Sequence, residues 1–378
     1  MELLLNTIYY VVPFVILLGV LVFVHEFGHF IVARKLGVNV SAFSVGFGKE
    51  LWSVTDKQGT VWKLSAIPLG GYCQFLGDAD ESSSTSEVDL SKYSEEEKKH
   101  LFATQKPIKK LAIAIAGPLF NYLFAFFVFF GLFFFIGSYD IPPVVSEVID
   151  NSPAQKAGIM AEDLVLEIND NEVKDWSDIS REVSISNNVV KLLIERNGEK
   201  IKIDVPLVDM EYAFDETEKP IKRRMIGIKG EAKRFKDVNN NFDFFLSVKK
   251  AALEIYNVTD MTLRGVGQII KGERSSDDVG GIIRIAEMSG DISKSRGFWD
   301  FISFMALLSI NLGLINLFPI PLLDGGHVVI YLLEIVSRRE LNAKIKDYLL
   351  KLGVAFILFL MVFATWNDIK HLIERWFE

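Results

Sequence analysis

The sequence contains a single cysteine, Cys73, among 378 residues, and only five histidines. One cysteine excludes an intramolecular disulfide and does not indicate a redox compartment, and we expect Cys73 to be a small packing residue. The net charge is −8 and no strongly basic patch is present, which argues against a nucleic-acid partner. No Lys or Arg precedes Arg34, so the first apolar segment lacks the basic leader of a cleaved signal peptide and is predicted to be a retained span.

Hydrophobic residues make up 50% of the chain, and they are clustered rather than spread evenly. Four clusters are long enough to cross a bilayer as helices, so the sequence predicts a multi-pass α-helical membrane protein with four spans. The third span is interrupted by Pro319, Pro321, Gly325 and Gly326. The predicted spans run approximately from Ile8 to Val32, Leu111 to Ile136, Phe301 to Val336 and Leu349 to Trp366.

Lys and Arg residues are concentrated at one side of these spans. Because such residues favour the cytoplasmic side, residues 34–110 and 337–348 are predicted to be cytoplasmic. Residues 137–300 and both termini are then predicted to lie on the outer side. The residues on which this orientation depends are Arg34, Lys35, Lys106, Lys109, Lys110, Arg338, Arg339, Lys344 and Lys346.

The connecting segments have patterns of their own. Residues 41–76 alternate apolar and polar side chains and predict a small antiparallel sheet, whereas the polar residues 78–99 predict a mobile stretch. Residues 140–230 predict a compact, mostly β domain with a hairpin around Asn197-Gly198. Residues 243–271 predict an amphipathic helix. The glycines that permit tight turns or close backbone approach in the small sheet are Gly46, Gly48, Gly70 and Gly71.

The first span contains the sequence His25-Glu26-Phe27-Gly28-His29. In a helix His25 and His29 lie one turn apart on the same face, so both imidazoles can bind one zinc ion. Glu26 lies beside that face and can act as the general base for a water held by zinc. The alternative is a pair of histidines that make structural hydrogen bonds, but ionisable groups are costly inside a membrane and usually functional.

A catalytic zinc ion usually has three protein ligands and one open position, and Asp324 is the best candidate for the third ligand. It follows the two prolines of the interrupted span, and irregular backbone at membrane depth is tolerated only against protein or a water-filled cavity. Two alternatives remain open. Asp324 can cap the helix that begins at Gly325, and His327 can compete for the role of third ligand.

These motifs resemble those of the site-2 protease family of intramembrane zinc metalloproteases, in particular its bacterial regulator-of-sigma-E type in a form with a single PDZ domain. HEFGH matches HExxH, NLFPIPLLDGGH matches NxxPxPxLDGGH, SVGFGKELW with IPLGGY resembles the membrane-associated β-loop, and AGPLFN, which ends at Asn121, resembles the motif of the second span. The inserted domain resembles a circularly permuted PDZ domain, with its peptide-binding loop at Ile226-Gly227-Ile228. The resemblance covers nearly the whole chain.

The resemblance implies a zinc-dependent endopeptidase of the bacterial inner membrane, with one Zn²⁺ held by His25, His29 and Asp324 and with Glu26 as catalytic base. Asn316 is expected to bind the substrate backbone or the oxyanion. Expected substrates are transmembrane segments already cut by an upstream site-1-type protease, such as anti-sigma factors or remnant signal peptides. The other residues expected to contact substrate are Pro319, Pro321, Gly46, Gly48, Gly70, Gly71 and Asn121.

Two other classes of protein remain to be distinguished from this enzyme. A non-catalytic, membrane-anchored PDZ adaptor would keep the PDZ domain without needing the metal ligands. A zinc transporter would have further His and carboxylate residues in several spans, whereas the second and fourth spans have almost none. The sequence also leaves open whether the PDZ domain filters substrates by size or binds newly formed C-termini.

The predicted organisation has seven segments in chain order. These are the first span with HExxH (1–35), the cytoplasmic membrane-associated β-loop and polar linker (36–110), the second span (111–137), the PDZ domain (138–232), an amphipathic helical region (233–297), the broken third span (298–337), and the fourth span with the C-terminus (338–378).

Overall fold

A computed structural model describes residues 2–77, 90–137, 142–186, 188–212, 221–230, 242–272, 280–295 and 297–377. Within these residues the chain forms ten α-helices and ten β-strands. The helices are α1 Glu2–Lys35, α2 Glu95–Lys98, α3 Pro107–Gly131, α4 Pro153–Lys156, α5 Trp176–Ile185, α6 Phe244–Ile270, α7 Ile282–Ser295, α8 Phe298–Asn316, α9 Asp324–Ser337 and α10 Ala343–Phe377. The strands are β1 Val40–Thr55, β2 Val61–Phe75, β3 Val145–Val148, β4 Leu164–Ile168, β5 Asn171–Glu172, β6 Val189–Arg196, β7 Glu199–Pro206, β8 Val208–Tyr212, β9 Ile221–Met225 and β10 Ile228–Gly230.

The chain forms two compact units. The helical unit comprises residues 1–132, 248–259 and 277–378, and the inserted unit comprises residues 133–247 and 260–276. Among the described residues, four helical segments are long and apolar enough to cross a membrane. They are Tyr9–Lys35, Pro107–Ile136, Phe298–Asn316 and Ala343–Ile373. Together with the antiparallel sheets, these helices confirm the predicted class of a four-span helical membrane protein with a β-rich insertion.

The third predicted span is divided into two helices. Helix α8 ends at Asn316, and α9 begins only at Asp324, so the intervening break contains both prolines, as their missing backbone donors require. The sequence had suggested that Gly325 and Gly326 belong to the break, but they lie in the first turn of α9. A Cβ at either glycine would overlap with backbone atoms of residues 317–321, so these glycines allow α9 to fold back closely on the break.

The small sheet consists of β1 and β2, which pair antiparallel from Val40 opposite Phe75 to Thr55 opposite Val61, with several register shifts. Its inner half packs against α1 and α3. The buried side chains of this core are Phe30, Ala33, Val38, Val40, Phe43, Cys73, Phe75 and Ile113. Cys73 is therefore a packing residue, as predicted, and β2 is held beside the segment of α1 that carries the histidines.

The turn between β1 and β2 is fixed to the end of α1 through Asp56. Its carboxylate accepts hydrogen bonds from the Arg34 guanidinium, from Trp62 Nε1 at 3.1 Å and from the backbone N–H groups of Gln58 and Thr60 at 2.9 and 3.1 Å. Partial burial opposes ionisation, but these donors outweigh it and lower the pKa of Asp56 to about 2. The sheet is thus anchored at both ends.

The polar linker is only partly described. Residues 78–89 of the expected mobile stretch lie outside the described residues. The expectation is wrong for residues 90–98, which form a short 3₁₀ turn, Leu90–Lys92, followed by α2. The physical reason is a capping box: the Ser94 hydroxyl accepts from the Glu97 N–H, while the Glu97 carboxylate accepts from the Ser94 N–H at 2.8 Å.

The inserted unit contains an antiparallel sheet in the order β5-β4-β6-β7, the pair β3–β10 and the hairpin β8–β9. Strands β6 and β7 are joined at Asn197-Gly198, which confirms the predicted hairpin. Ile226 is buried in the core of this unit, and Ile228 pairs with Val148. Gly227 between them has a φ of 88° and no room for a Cβ, which would overlap with Ser152.

Helix α6 matches the predicted amphipathic helix within one residue at each end. Helix α7 lies in the region 233–297 that was predicted to be amphipathic and helical, but its bounds were not predicted. Its N-terminus is capped by a distant side chain, because the buried carboxylate of Asp368 in α10 accepts from the backbone N–H groups of Gly281, Ile283 and Arg284 at 2.8, 3.0 and 3.3 Å. Local sequence patterns could not predict this cap, because Asp368 is 87 positions away from Gly281 in the chain.

One ion pair of the inserted unit is almost entirely buried on its acidic side. The Asp163 carboxylate accepts two 2.7 Å hydrogen bonds from Arg196, which also donates to the Gly158 carbonyl at 2.8 Å. The Asp163 side chain is 1% exposed. The hydrogen bonds that Arg196 donates to Asp163 raise the pKa of the Arg196 guanidinium above its usual value, so Arg196 keeps its charge at neutral pH.

We expect Arg196→Leu to lower the free energy of unfolding of the inserted unit by about 3 kcal/mol, because it leaves a buried carboxylate without its cation. The backbone amides of β4 and β6 should then exchange hydrogen roughly a hundredfold faster in the full-length protein in detergent. Lys174→Leu is the matched control, because its pair with Glu172 is three-quarters exposed on both sides and is worth less than about 1 kcal/mol. If hydrogen exchange were accelerated equally in the two variants, the Asp163–Arg196 ion pair would not have the stabilising role assigned to it.

Candidate metal centre and active site

Three potential metal ligands meet within the helical unit. Helix α1 supplies His25 and His29, whose Nε2 atoms are 3.3 Å apart, as expected for residues one turn apart. Helix α9 supplies Asp324 as its first residue, and the Asp324 Oδ2 atom lies 3.1 Å from His25 Nε2 and 3.5 Å from His29 Nε2. Residues from opposite ends of the chain thus direct three donor atoms at one point.

The spacing of these donors fits a zinc ion. Zinc–nitrogen and zinc–oxygen distances of about 2.0–2.1 Å in a tetrahedral site place neighbouring ligand atoms roughly 3.3 Å apart. In addition, Asp324 Oδ2 is buried and has no hydrogen-bond partner within the described residues. A buried anionic oxygen without a proton donor needs a cation. The residues present therefore fit one zinc ion, with a fourth position open.

The sequence left two alternatives open, namely Asp324 as a helix cap and His327 as the third ligand, and the structure supports neither. The residue at the N-cap position of α9 is Leu323, and no side chain caps this helix. His327 lines the same cavity, but it stacks on Tyr331 with 6.1 Å between the ring centroids. Within the described residues, the metal-ligating atoms that cluster belong to His25, His29 and Asp324.

Helix α3 fixes the orientation of His29. The Nδ1 atom of His29 lies 2.8 Å from the backbone carbonyl oxygen of Ile113, and a carbonyl can only accept, so Nδ1 carries the proton. The lone pair of Nε2 is then free for a metal. This contact requires a glycine on the next turn of α3, because a Cβ at Gly117 would overlap with the His29 ring.

Helix α3 also contacts His25. The side-chain amide of Asn121 lies 3.1 Å from His25 Nδ1. The backbone carbonyl of Asn121 accepts a hydrogen bond from Ser309 Oγ of α8 at 2.9 Å. Both histidines therefore contact α3, for which the sequence had indicated a span and a substrate contact at Asn121 but no contact with the histidines.

Glu26 lies in the wall of the cavity beside the three donors and is half-buried. Its carboxylate is hydrogen-bonded to the backbone of Cys73 in β2. Strand β2 can approach so closely because residue 71 is a glycine. A Cβ at Gly71 would meet Val22 at 2.6 Å and the Glu26 side chain at 3.5 Å. The candidate base is thereby placed between the metal ligands and the edge of the sheet.

A cavity of about 930 Å³ opens beside these groups. Consecutive residues of β2, from Gly71 to Phe75, form one wall, and Asn316 and Asp324 lie in another. Of the residues expected to contact substrate, Gly71 and Asn316 are in this lining. The lining among the described residues does not include the others, which are Gly46, Gly48, Gly70, Asn121, Pro319 and Pro321.

Aromatic rings form the part of the cavity wall that the sequence did not reveal. The rings of Phe75 and Phe102 stack with 4.5 Å between their centroids, and Phe102 meets Tyr331 edge to face at 6.5 Å. Phe102 and Tyr331 are 229 positions apart in the chain. Phe75 belongs to β2, Tyr331 to α9, and Phe102 precedes α3. Sequence motifs could not have identified these three aromatic residues, because they do not belong to one local sequence pattern.

A metal-binding group that includes two histidines of a helix able to cross a membrane indicates a class of protein, a membrane-embedded hydrolase with a metal centre. Comparison with known families agrees with this class. Residues 13–360 match the model of Peptidase family M50, and the chain belongs to that family. It is therefore a metalloendopeptidase of the site-2 protease type, and the His–His–Asp group fits the zinc ion that was predicted.

Curated relatives extend over almost the whole chain. A protein of Agrobacterium fabrum is 38% identical over 96% of this chain and 96% of its own length, and one of Rhizobium meliloti is 38% identical over 98% and 100%. A Campylobacter jejuni protein is 34% identical over 95% and 93%. All three carry the name "Putative zinc metalloprotease". Among solved structures, the PDZ domain of an SdrC-like protein from Listeria monocytogenes matches 25% of this chain and 90% of that domain, at 25% identity and a TM-score of 0.19.

We expect Gly117→Ala to lower the zinc affinity of the purified protein by at least about tenfold, because the added methyl group displaces the His29 ring from its carbonyl partner. Competition with a chromophoric chelator in detergent measures this affinity. Gly131→Ala is the matched control in the same helix, since a Cβ there meets no atom within 4 Å. An unchanged affinity in Gly117→Ala would mean that α3 does not position His29.

Proposed function

We propose that the protein cleaves transmembrane segments of other membrane proteins, inside the bilayer, as a step of regulated intramembrane proteolysis. The observation that carries this proposal is that His25 and His29 lie in the segment Tyr9–Lys35, which is apolar enough to cross a membrane, and that Asp324 of α9 meets them there. A substrate peptide bond must reach them at membrane depth. The substrate class is therefore a segment that itself lies in the bilayer.

The chemistry proposed for the site is hydrolysis of a peptide bond. A zinc ion held by His25, His29 and Asp324 supplies a Lewis acid that polarises the carbonyl and makes water more acidic. Glu26 takes a proton from the attacking water and delivers it to the amine nitrogen as that group departs. Asn316, which lines the same cavity, can donate its side-chain amide to the oxygen that becomes negatively charged.

The substrate must be unwound before this attack, because the carbonyl groups of a helix are hydrogen-bonded and shielded. One edge of β2 is paired with β1, while its residues 71–75 line the cavity. We propose that an unwound substrate segment pairs with β2 as an added strand, which replaces the hydrogen bonds lost from its helix. Helix-breaking residues in the substrate lower the cost of this step.

The cellular setting is also a proposal. The distribution of Lys and Arg favours an orientation in the bacterial inner membrane with residues 34–110 in the cytoplasm and the inserted unit and both termini outside. The inserted unit would act as a PDZ domain, either as a size filter for substrates already trimmed by a site-1-type protease or as a tether for new C-termini. Anti-sigma factors and remnant signal peptides are the substrates that fit this order of cleavage.

We expect Glu26→Gln to lower cleavage of a single-span reporter, already trimmed on its outer side, by about 10²–10⁴-fold, because the general base is lost. Bound zinc should remain at one per chain, since the three ligands are unchanged. Glu340→Gln, an exposed carboxylate, is the matched control and should cleave normally. Full cleavage by Glu26→Gln would remove Glu26 from the mechanism and favour the adaptor alternative.

Strand addition predicts a specific pattern of cross-links. In Glu26→Gln protein, Cys73→Ala removes the only native cysteine, and Gln74→Cys places a thiol in the cavity wall. Single cysteines moved along the reporter segment should form disulfides with it at every second position, because strand residues alternate between faces. Cross-links spaced three or four residues apart would mean that the substrate enters as a helix.

A further inference from the structure

One contact of the candidate metal centre has no role in the proposed reaction, namely that between the Asn121 side chain and His25. Asn121 is 0% exposed, and its side-chain nitrogen Nδ2 lies 3.1 Å from His25 Nδ1. Its side-chain oxygen Oδ1 is buried and has no hydrogen-bond partner within the described residues. The proposed reaction makes no use of this side chain, although polar groups are costly in such a place.

The chemistry of His25 decides which atom of Asn121 must face it. His25 directs Nε2 at Asp324 Oδ2 and at His29 Nε2, so Nε2 is the atom that would hold the metal through its lone pair. A neutral imidazole that uses Nε2 in this way carries its proton on Nδ1. Nδ1 is therefore a donor, and a second donor such as the Asn121 NH₂ group cannot satisfy it.

A half turn of the Asn121 amide exchanges its oxygen and nitrogen without moving any other atom. This turn places the unpartnered Oδ1 opposite the Nδ1–H of His25, so one change supplies both groups with a partner. We propose that Asn121 is a positioning residue whose side-chain oxygen accepts a hydrogen bond from Nδ1–H of His25 and so fixes the tautomer that binds zinc. This inference rests on the proposed metal ligands.

The arrangement around His29 supports this role by analogy within the same site. His29 donates from Nδ1 to the Ile113 carbonyl at 2.8 Å, so both histidines would donate to oxygen atoms of α3. The position of Asn121 is itself fixed, because the Ser309 hydroxyl of α8 donates to its backbone carbonyl at 2.9 Å. Three helices thus act together on the orientation of one imidazole ring.

The alternative is that Asn121 only fills space between α1, α3 and α8, or that it donates to His25. Two substitutions separate these cases. Asn121→Asp keeps an acceptor but cannot donate, whereas Asn121→Leu keeps the approximate volume and does neither. A space-filling role predicts that both variants bind zinc normally, and a donor role predicts that both are impaired.

The test measures zinc affinity of the full-length protein in detergent by competition with a chelator, together with the rise of the thermal midpoint on adding zinc. We expect Asn121→Leu to bind zinc 10- to 100-fold more weakly and Asn121→Asp to remain within about threefold of the wild type or to bind more tightly. Tyr122→Phe is the matched control, since it removes a hydroxyl from the next residue of α3, where it faces Thr259 at 3.4 Å.

The outcomes distinguish the inference from the proposed function. Equal loss in Asn121→Asp and Asn121→Leu, or normal affinity in Asn121→Leu, would overturn the acceptor role of Asn121. If Asn121→Leu does not fold, Asn121→Ala, which also can neither accept nor donate, takes its place in the comparison with Asn121→Asp. Failure of the wild type to bind zinc would instead refute the metal centre itself.

Discussion

The structure of the candidate metal centre depends on one constraint. A carboxylate oxygen of Asp324 lies close to two imidazole nitrogens within an apolar helical bundle. The Asp324 Oδ2 atom is buried and has no hydrogen-bond partner among the residues that the structure describes, and the Nε2 atoms of His25 and His29 lie within 3.5 Å of it. Such a group is costly unless a cation completes it. The break between α8 and α9 follows from this constraint, because an uninterrupted helix would not begin at Asp324 and direct its first side chain towards α1.

Helix α3 provides the rigidity that this centre needs. Zinc ligands require a fixed ring orientation and a defined tautomer. Helix α3 supplies the Ile113 carbonyl as the acceptor for His29 and, in our proposal, the Asn121 side-chain oxygen as the acceptor for His25. Gly117 lets the ring of His29 reach the Ile113 carbonyl. In this proposal the motif AGPLFN supports the metal centre, a role distinct from the substrate contact that the resemblance implies for Asn121.

The sequence predicted those features whose signal is local. Apolar length identified the four spans, the HExxH spacing identified His25 and His29, and the prolines before Asp324 identified the break. The missed features join distant residues. Asn121 is 96 positions from His25 and Asp368 is 87 from Gly281, so neither contact leaves a periodic trace. Residues 90–98 were misassigned because high polarity outweighed a capping box at Ser94.

The β2 strand links substrate entry to catalysis. A helix that unwinds in an apolar environment exposes backbone donors and acceptors, each at a cost of several kcal/mol, so unwinding is feasible only where a strand edge replaces those bonds at once. The same strand is hydrogen-bonded to the Glu26 carboxylate through Cys73 and passes α1 at the distance that Gly71 allows. If substrate pairs with β2 as proposed, a shift of β2 would act directly on the position of the base. The register of the unwound segment on β2 would then determine which peptide bond lies beside Glu26 and the metal ligands, so the proposal implies that backbone pairing sets the cleavage site before any side chain is recognised.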